Sequence, residues 1–159
     1  MELKLLADHQ QAIPIIAGWY FEEWGHLESG NNLEKVTEGL NKYLNTDKIP
    51  LIVIAIEEKE ILGAAQLKYR EMSRYPEKEH WLGGVYVSKK YRGNKIAEQM
   101  INKVIILAKK FGVQHLYLQT FDLSGGLYRR MGWKAVEQVK NYNLDVLVMD
   151  KTLVEIKGS

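Results

Sequence analysis

The chain has 159 residues, 46% of them apolar and 26% charged, and a net charge of +2, which fits one globular domain over residues 1–159. No apolar run approaches the roughly 18 residues that a bilayer span needs, and no basic segment leads into an apolar stretch at the start, so a cytoplasmic protein with no membrane partner is expected. The absence of cysteine excludes disulfides, thiolate metal sites and a cysteine nucleophile, and so small a net charge argues against a nucleic-acid partner.

Leu3 to Leu6 reads as an edge strand. Asp8 and Gln11 then offer a capping-box spacing, with Pro14 acceptable in the first turn of a helix. Ile13, Ile16, Ala17, Tyr20, Phe21 and Trp24 recur at steps of three and four and form one apolar stripe, which Gly25 ends. A second helix carries Leu33, Val36, Leu40 and Leu44, opened by Asn31 with Glu34 three residues on. After Pro50, Leu51 to Ile56 is a near-continuous apolar run of strand length. Glu57 to Glu60 is a turn, Ile61 to Tyr69 the partner strand of a hairpin, and Arg70 to Lys78 an exposed loop. Trp81 to Val87 is the next strand, and its Gly83-Gly84 pair points to a bulge or to a close approach to the backbone.

The longest helix follows, with the stripe Ala97, Met100, Ile101, Val104, Ile105, Ala108 and Phe111 and a left-handed cap expected at Gly112. His115 to Gln119 is a buried strand, and Ser124 caps a short helix that ends at Gly132. Strands at Trp133 to Val139 and Val146 to Leu153 complete the chain. The order β-α-α-β-β-β-α-β-α-β-β predicts an α/β (α+β) fold, a mixed central sheet of about seven strands with helices on both faces. The terminal strands offer an edge at which two copies could pair as a homodimer.

Charge is unevenly placed. Between Val87 and Lys110 there are seven Lys or Arg residues against the single Glu98, whereas Tyr20 to Glu60 carries nine acidic residues and four Lys. The basic stretch coincides with a strand that turns through Arg92-Gly93-Asn94-Lys95-Ile96-Ala97 straight into the long helix. At a helix start the first amides lack intrahelical partners and the peptide dipoles sum to partial positive charge, so such a turn suits a phosphate group. His9, His26 and His115 have no metal-ligand spacing with carboxylates, and no metal is expected. Neither GxxxxGK[ST] nor GxGxxG is present, which argues against the main nucleotide-binding motifs.

The segment Val85 to Ala97, taken with Leu127-Tyr128-Arg129-Arg130-Met131-Gly132-Trp133, resembles the two signature blocks of the GCN5-related N-acetyltransferases, the GNAT family. The element order is similar to that family's over nearly the whole chain, which implies the acyl-CoA N-acyltransferase fold. In the family the turn reads Arg or Gln, two residues, Gly, one residue, then Gly or Ala; Lys95 stands here where the pattern has glycine. The resemblance implies an enzyme that moves an acetyl group from acetyl-CoA to a primary amine, on a small molecule or a peptide, by direct attack in a ternary complex. It implies that the amides of Arg92, Gly93, Asn94, Lys95, Ile96 and Ala97 hold the pyrophosphate of CoA. The edge formed by Val85, Tyr86 and Val87 would pair with the pantetheine arm, near which Asp122 also falls, and the fourth and fifth strands would splay apart from about Gly83-Gly84.

Acyl transfer from a thioester to an amine needs a neutral nucleophile, stabilisation of the developing oxyanion and a proton for the thiolate. The resemblance assigns the last role to Tyr128, whose ordinary pKa near 10 keeps it protonated at neutral pH. No motif fixes the base; Glu79 and His80, at the entry to the fourth strand, are the nearest candidates. The two early helices and the Arg70 to Lys78 loop are expected to border the acceptor, with Trp19, Glu22, Glu23, Trp24, Tyr69 and Tyr75 as aromatic walls and carboxylates for a cationic amine. The alternative reading is a regulatory module that binds CoA or an acyl-CoA without transferring it.

Overall fold

In the computed structural model, which describes residues 1–153, the run at Leu51 forms a strand buried on both sides, β2 (Leu51–Glu57). The final six residues of the expected 1–159 domain lie outside the described residues. The other elements are β1 (Glu2–Leu5), α1 (Ile13–Trp24), α2 (Leu33–Leu40), β3 (Glu60–Tyr69), β4 (His80–Val87), α3 (Ile96–Lys110), β5 (His115–Thr120), α4 (Gly126–Arg130), β6 (Lys134–Asn141) and β7 (Leu144–Thr152). They build a seven-stranded sheet in the order β1-β2-β3-β4-β5-β7-β6. β4 and β5 pair parallel; the other neighbours are antiparallel.

Alternation along β2 explains its unbroken apolar run. Leu51, Val53 and Ala55 pack with Met100, Ile101 and Val104 of α3, while Ile52, Ile54 and Ile56 pack with Ile16, Ala17 and Tyr20 of α1 and with Leu40 of α2. Each fully buried Leu, Ile or Val contributes about 1.5–3 kcal/mol, so helices on both faces are what make this sequence stable as a strand. A third cluster corrects the expectation of an exposed loop at Arg70 to Lys78. Met72 and Tyr75 are buried against Trp81, Val139, Val146 and Val148, so this loop covers the part of the sheet that α1 and α2 leave bare.

Gly112 ends α3 at φ +81°, in the left-handed region. Three cap assignments shift. Asp8 caps nothing, because two short 3-10 turns precede α1 and its N-cap is Ala12. Gly25 does end α1 as its C-cap, but in right-handed backbone at φ −59° that leads into a 3-10 turn. Its lack of Cβ answers to packing, since one would stand 2.4 Å from the Phe21 ring. Asn32, not Asn31, caps α2, accepting from the Lys35 amide at 2.8 Å. Gly125 is the N-cap of α4, while the neighbouring Ser124 hydroxyl accepts from the Gly126 amide at 3.3 Å. Among the described residues no helix is long and apolar enough to cross a membrane.

Candidate active site

Two glycines reshape the middle of β4. Gln66 of β3 pairs with Gly83, but Ala64 pairs with Tyr86, so β4 spends one residue more than its partner over this step. This bulge, with Gly84 at φ +52°, lets Leu82 and Val85 both face the α3 side although they are three residues apart. The hydroxyl of Tyr20 on α1 donates to the Gly84 carbonyl at 2.6 Å and fixes the bulged peptide. β4 and β5 pair only at Trp81 and Tyr117, immediately before the bulge. Beyond that point the strands diverge, and Leu82 to Val85 on one and Leu118 to Thr120 on the other line a cavity of about 1110 Å³. On the β3 side the Ser88 amide still donates to Leu62, so the alternation of the ladder turns the main chain of Val87 toward the side left open.

After β4 the chain makes a 3-10 turn at Lys89–Tyr91, passes Arg92 in extended backbone, and reaches Gly93 at φ +87° and Lys95 at φ +61°. Lys95 thus adopts the left-handed conformation for which the family pattern uses glycine. No side chain caps α3, and the amides of Ile96, Ala97 and Glu98 have no partner among the described residues. These N–H groups and the positive end of the dipole of a four-turn helix follow the end of β4, outside the residues that line the cavity. The Arg92 side chain ties the turn down: its Nε donates to the Val87 carbonyl at 3.0 Å and its guanidinium lies 5.2 Å from the Tyr86 ring, which stacks on Trp19 at 5.1 Å.

Tyr128 lies on α4 and lines the cavity, its ring edge-on to Trp133 at 6.2 Å. Burial alone, with no hydrogen bond or neighbouring charge contributing, pushes its hydroxyl up to about 12. Asp122 also lines the cavity, and its carboxylate accepts from the Ser124 amide at 3.0 Å and hydroxyl at 2.6 Å; those two bonds hold it below the usual carboxylate range. Asp122 therefore shapes the loop into α4.

Glu79 and His80, the expected base candidates, fall outside the residues that line the cavity. Glu79 is half exposed and lies 4.0 Å from Arg70 and 3.9 Å from His80, and His80 packs on Tyr69 at 5.3 Å between ring centres. Burial lowers the His80 imidazole. Of the expected acceptor residues, Glu23 and Trp24 line the cavity, whereas Trp19 is engaged with Tyr86 and Tyr75 with Trp81.

Other polar residues that line the cavity carry no sequence motif. Lys68 at the end of β3 and Glu71 in the following loop form an ion pair at 3.1 Å, beside buried Gln66, which accepts from the Tyr43 hydroxyl at 3.5 Å. Burial depresses the Lys68 ammonium, but the Glu71 carboxylate and Tyr43 outweigh it and leave Lys68 above the usual lysine range. Across the cavity, the Tyr142 hydroxyl in the β6–β7 turn donates to Glu28 at 2.9 Å, joining that turn to the segment between α1 and α2. The one available signal was Gln66, a lone amide within the apolar run Ile61 to Leu67.

Comparison with known proteins agrees with this geometry. The acetyltransferase (GNAT) family model matches residues 11–133, which contain both the Arg92–Ala97 turn and Tyr128. An aminoglycoside 6'-acetyltransferase of type Ii superposes with a TM-score of 0.76 at 18% identity, covering 98% of this chain and 99% of that one. An aminoglycoside 6'-N-acetyltransferase complexed with coenzyme A gives 0.75 at 14% identity, with 98% and 99% covered. A ribosomal-protein-alanine N-acetyltransferase from Brucella melitensis gives 0.73 at 18% identity, with 96% and 99% covered. At these identities the likeness is one of fold, the acyl-CoA N-acyltransferase fold. No curated protein sequence matches.

Proposed function

The chain belongs to the acetyltransferase (GNAT) family, and we propose from that premise that it moves an acetyl group from acetyl-CoA to a primary amine, on a small molecule or a peptide, within a ternary complex. The observation that carries this reading is the parting of β4 and β5 after the single Trp81–Tyr117 pair, with the uncapped start of α3 at one end and Tyr128 on the cavity wall.

The residues present fit acetyl-CoA. The unpartnered amides of Ile96 to Glu98, held in place by Lys95 in the left-handed region, offer donors for a pyrophosphate, and no atom lies within 4 Å of where a Cβ on Gly93 would stand, so the approach to that backbone is open. The Val85–Val87 edge, unpaired on the β5 side, can pair with the amides of a pantetheine arm as an added strand would. Bound there, acetyl-CoA supplies an activated acyl carbon and a thiolate leaving group. Tyr128 holds a proton at its hydroxyl throughout the neutral range and gives it to the departing sulfur. Tyr20 fixes the bulge, so that the main chain beside the acyl oxygen needs no rearrangement during the reaction.

The test is thiol release from acetyl-CoA across a panel of primary amines, with calorimetric titration of acetyl-CoA alongside. Binding with amine-dependent thiol release supports the reading. Binding without release from any amine would leave a CoA-binding module, and absence of binding would overturn both.

A further inference from the structure

Glu71 is placed oddly for a surface loop residue. Its side chain and that of Lys68 are only 21% and 22% exposed, and the pair is joined through Oε1 at 3.1 Å. Drawing two charges out of water is costly unless the site uses them, because desolvation offsets most of the mutual attraction. The second oxygen is the informative one. A Cβ on Gly83 would stand 2.6 Å from Glu71 Oε2, so the carboxylate occupies volume that any other residue at position 83 would fill. Oε2 makes no hydrogen bond among the described residues, and it lies against β4 just where that strand leaves β5. Glu71 lines the same cavity as Gly84, Val85 and Tyr128.

The groups facing this carboxylate come from every neighbouring element. They are the hydroxyls of Tyr20 on α1, Tyr43 after α2 and Tyr142 in the β6–β7 turn, and the ammonium of Lys68 on β3. Glu28 stands behind Tyr142, and Arg74 lies on the cavity wall. The three phenols have raised pKa values, first of all through burial, and so stay neutral. Lys68 engages one oxygen of Glu71 and leaves Oε2 for a ligand.

We propose that Glu71 receives the ammonium group of the acceptor at Oε2 and takes its proton, which makes it the catalytic base of the transfer assigned above. The inference rests on that assignment. Two protons leave the nitrogen in all. The first passes to Glu71, and the N–H electron pair stays on nitrogen as the lone pair that forms the new C–N bond while the C–S bond breaks. The second is shed as the amide forms and balances the proton that Tyr128 gives to sulfur.

Glu71→Gln keeps the shape and removes the basic oxygen. With a primary amine that supports turnover, kcat/KM at pH 7 is expected to fall by about a hundredfold, within the range for loss of a general base. The deficit should narrow as pH rises toward 10, where a growing share of the amine is already neutral. The dissociation constant for acetyl-CoA should not change. Glu71→Asp should restore part of the loss. Gly83→Ala, which leaves the carboxylate in the chain but pushes it off β4, should raise KM for the amine while acetyl-CoA affinity holds; this second variant keeps the test intact if Glu71→Gln does not fold. A Glu71→Gln profile equal to wild type, or a deficit of the same size at pH 7 and pH 10, would overturn the assignment and leave acetyl transfer standing. Wild-type protein whose thiol release no amine increases would overturn both.

Discussion

At φ +61° and ψ 22°, Lys95 carries a side chain in a region that disfavours one, at a cost of about 1–2 kcal/mol. Lys95→Gly relieves this but widens the unfolded ensemble by about 0.4–1 kcal/mol, so the net gain is about 0.5–1 kcal/mol. For a chain of this size that is a rise in Tm of about 1–4 °C. Lys95→Ala is the control, because it removes the ammonium and keeps the Cβ, and it should show no gain. Thermal and urea unfolding of the three proteins measure the effect directly. Titration with acetyl-CoA separates the backbone from the charge: both variants should lose the same factor, about tenfold or less, since the amides remain and only an exposed cation is lost. Glycine and alanine variants of equal stability would refute the left-handed turn at the head of α3.

Tyr128→Phe should lower kcat by about a hundredfold, the scale of a lost general acid, with acetyl-CoA affinity unchanged; stopped thiol release with normal binding is the signature. The folded protein holds the Tyr128 proton to about pH 12, whereas the unfolded chain loses it near pH 10, so stability contributed by this group falls as pH rises through that window. The difference in unfolding free energy between wild type and Tyr128→Phe, measured in urea, should therefore be independent of pH below about 10 and move against wild type between about pH 10 and 12. Arg92→Glu should weaken acetyl-CoA binding at least tenfold and also loosen the end of β4, since it breaks the tie to Val87 and the contact with Tyr86; an unaltered dissociation constant would count against the cradle. Tyr20→Phe leaves the Gly84 carbonyl without its donor, which should cost about 1–3 kcal/mol in unfolding free energy and reduce kcat more than acetyl-CoA affinity.

What could be read from the sequence was local. The Arg92–Ala97 turn, the α3 stripe and the Gly83-Gly84 irregularity are each contained within one short segment, where glycine, periodicity and strand-to-helix order carry the information. Lys95 shows the limit of that reading, because composition alone does not say whether a non-glycine residue will accept positive φ; here the helix start imposes it. The acceptor side was illegible for a different reason. Tyr20, Tyr43, the Lys68–Glu71 pair and Tyr142 come from four separate stretches, and the pairing of β3 with β4 and the bond from the β6–β7 turn to Glu28 help to bring them together. The expected bases at Glu79 and His80 were chosen for nearness in the chain to β4. The loop from Arg70 instead folds back through Met72 and Tyr75, which carries Glu71 to the cavity and leaves Glu79 at the rim of the sheet.

A crystal structure of the acetyl-CoA complex tests the central claim most directly. The pyrophosphate should accept from the amides of Ile96 to Glu98, the pantetheine should run along Val85–Val87 in the gap beyond Trp81 and Tyr117, and the sulfur should lie within hydrogen-bonding reach of the Tyr128 hydroxyl. Density for the ligand elsewhere, with those amides turned to other partners or the phenol far from sulfur, would contradict it.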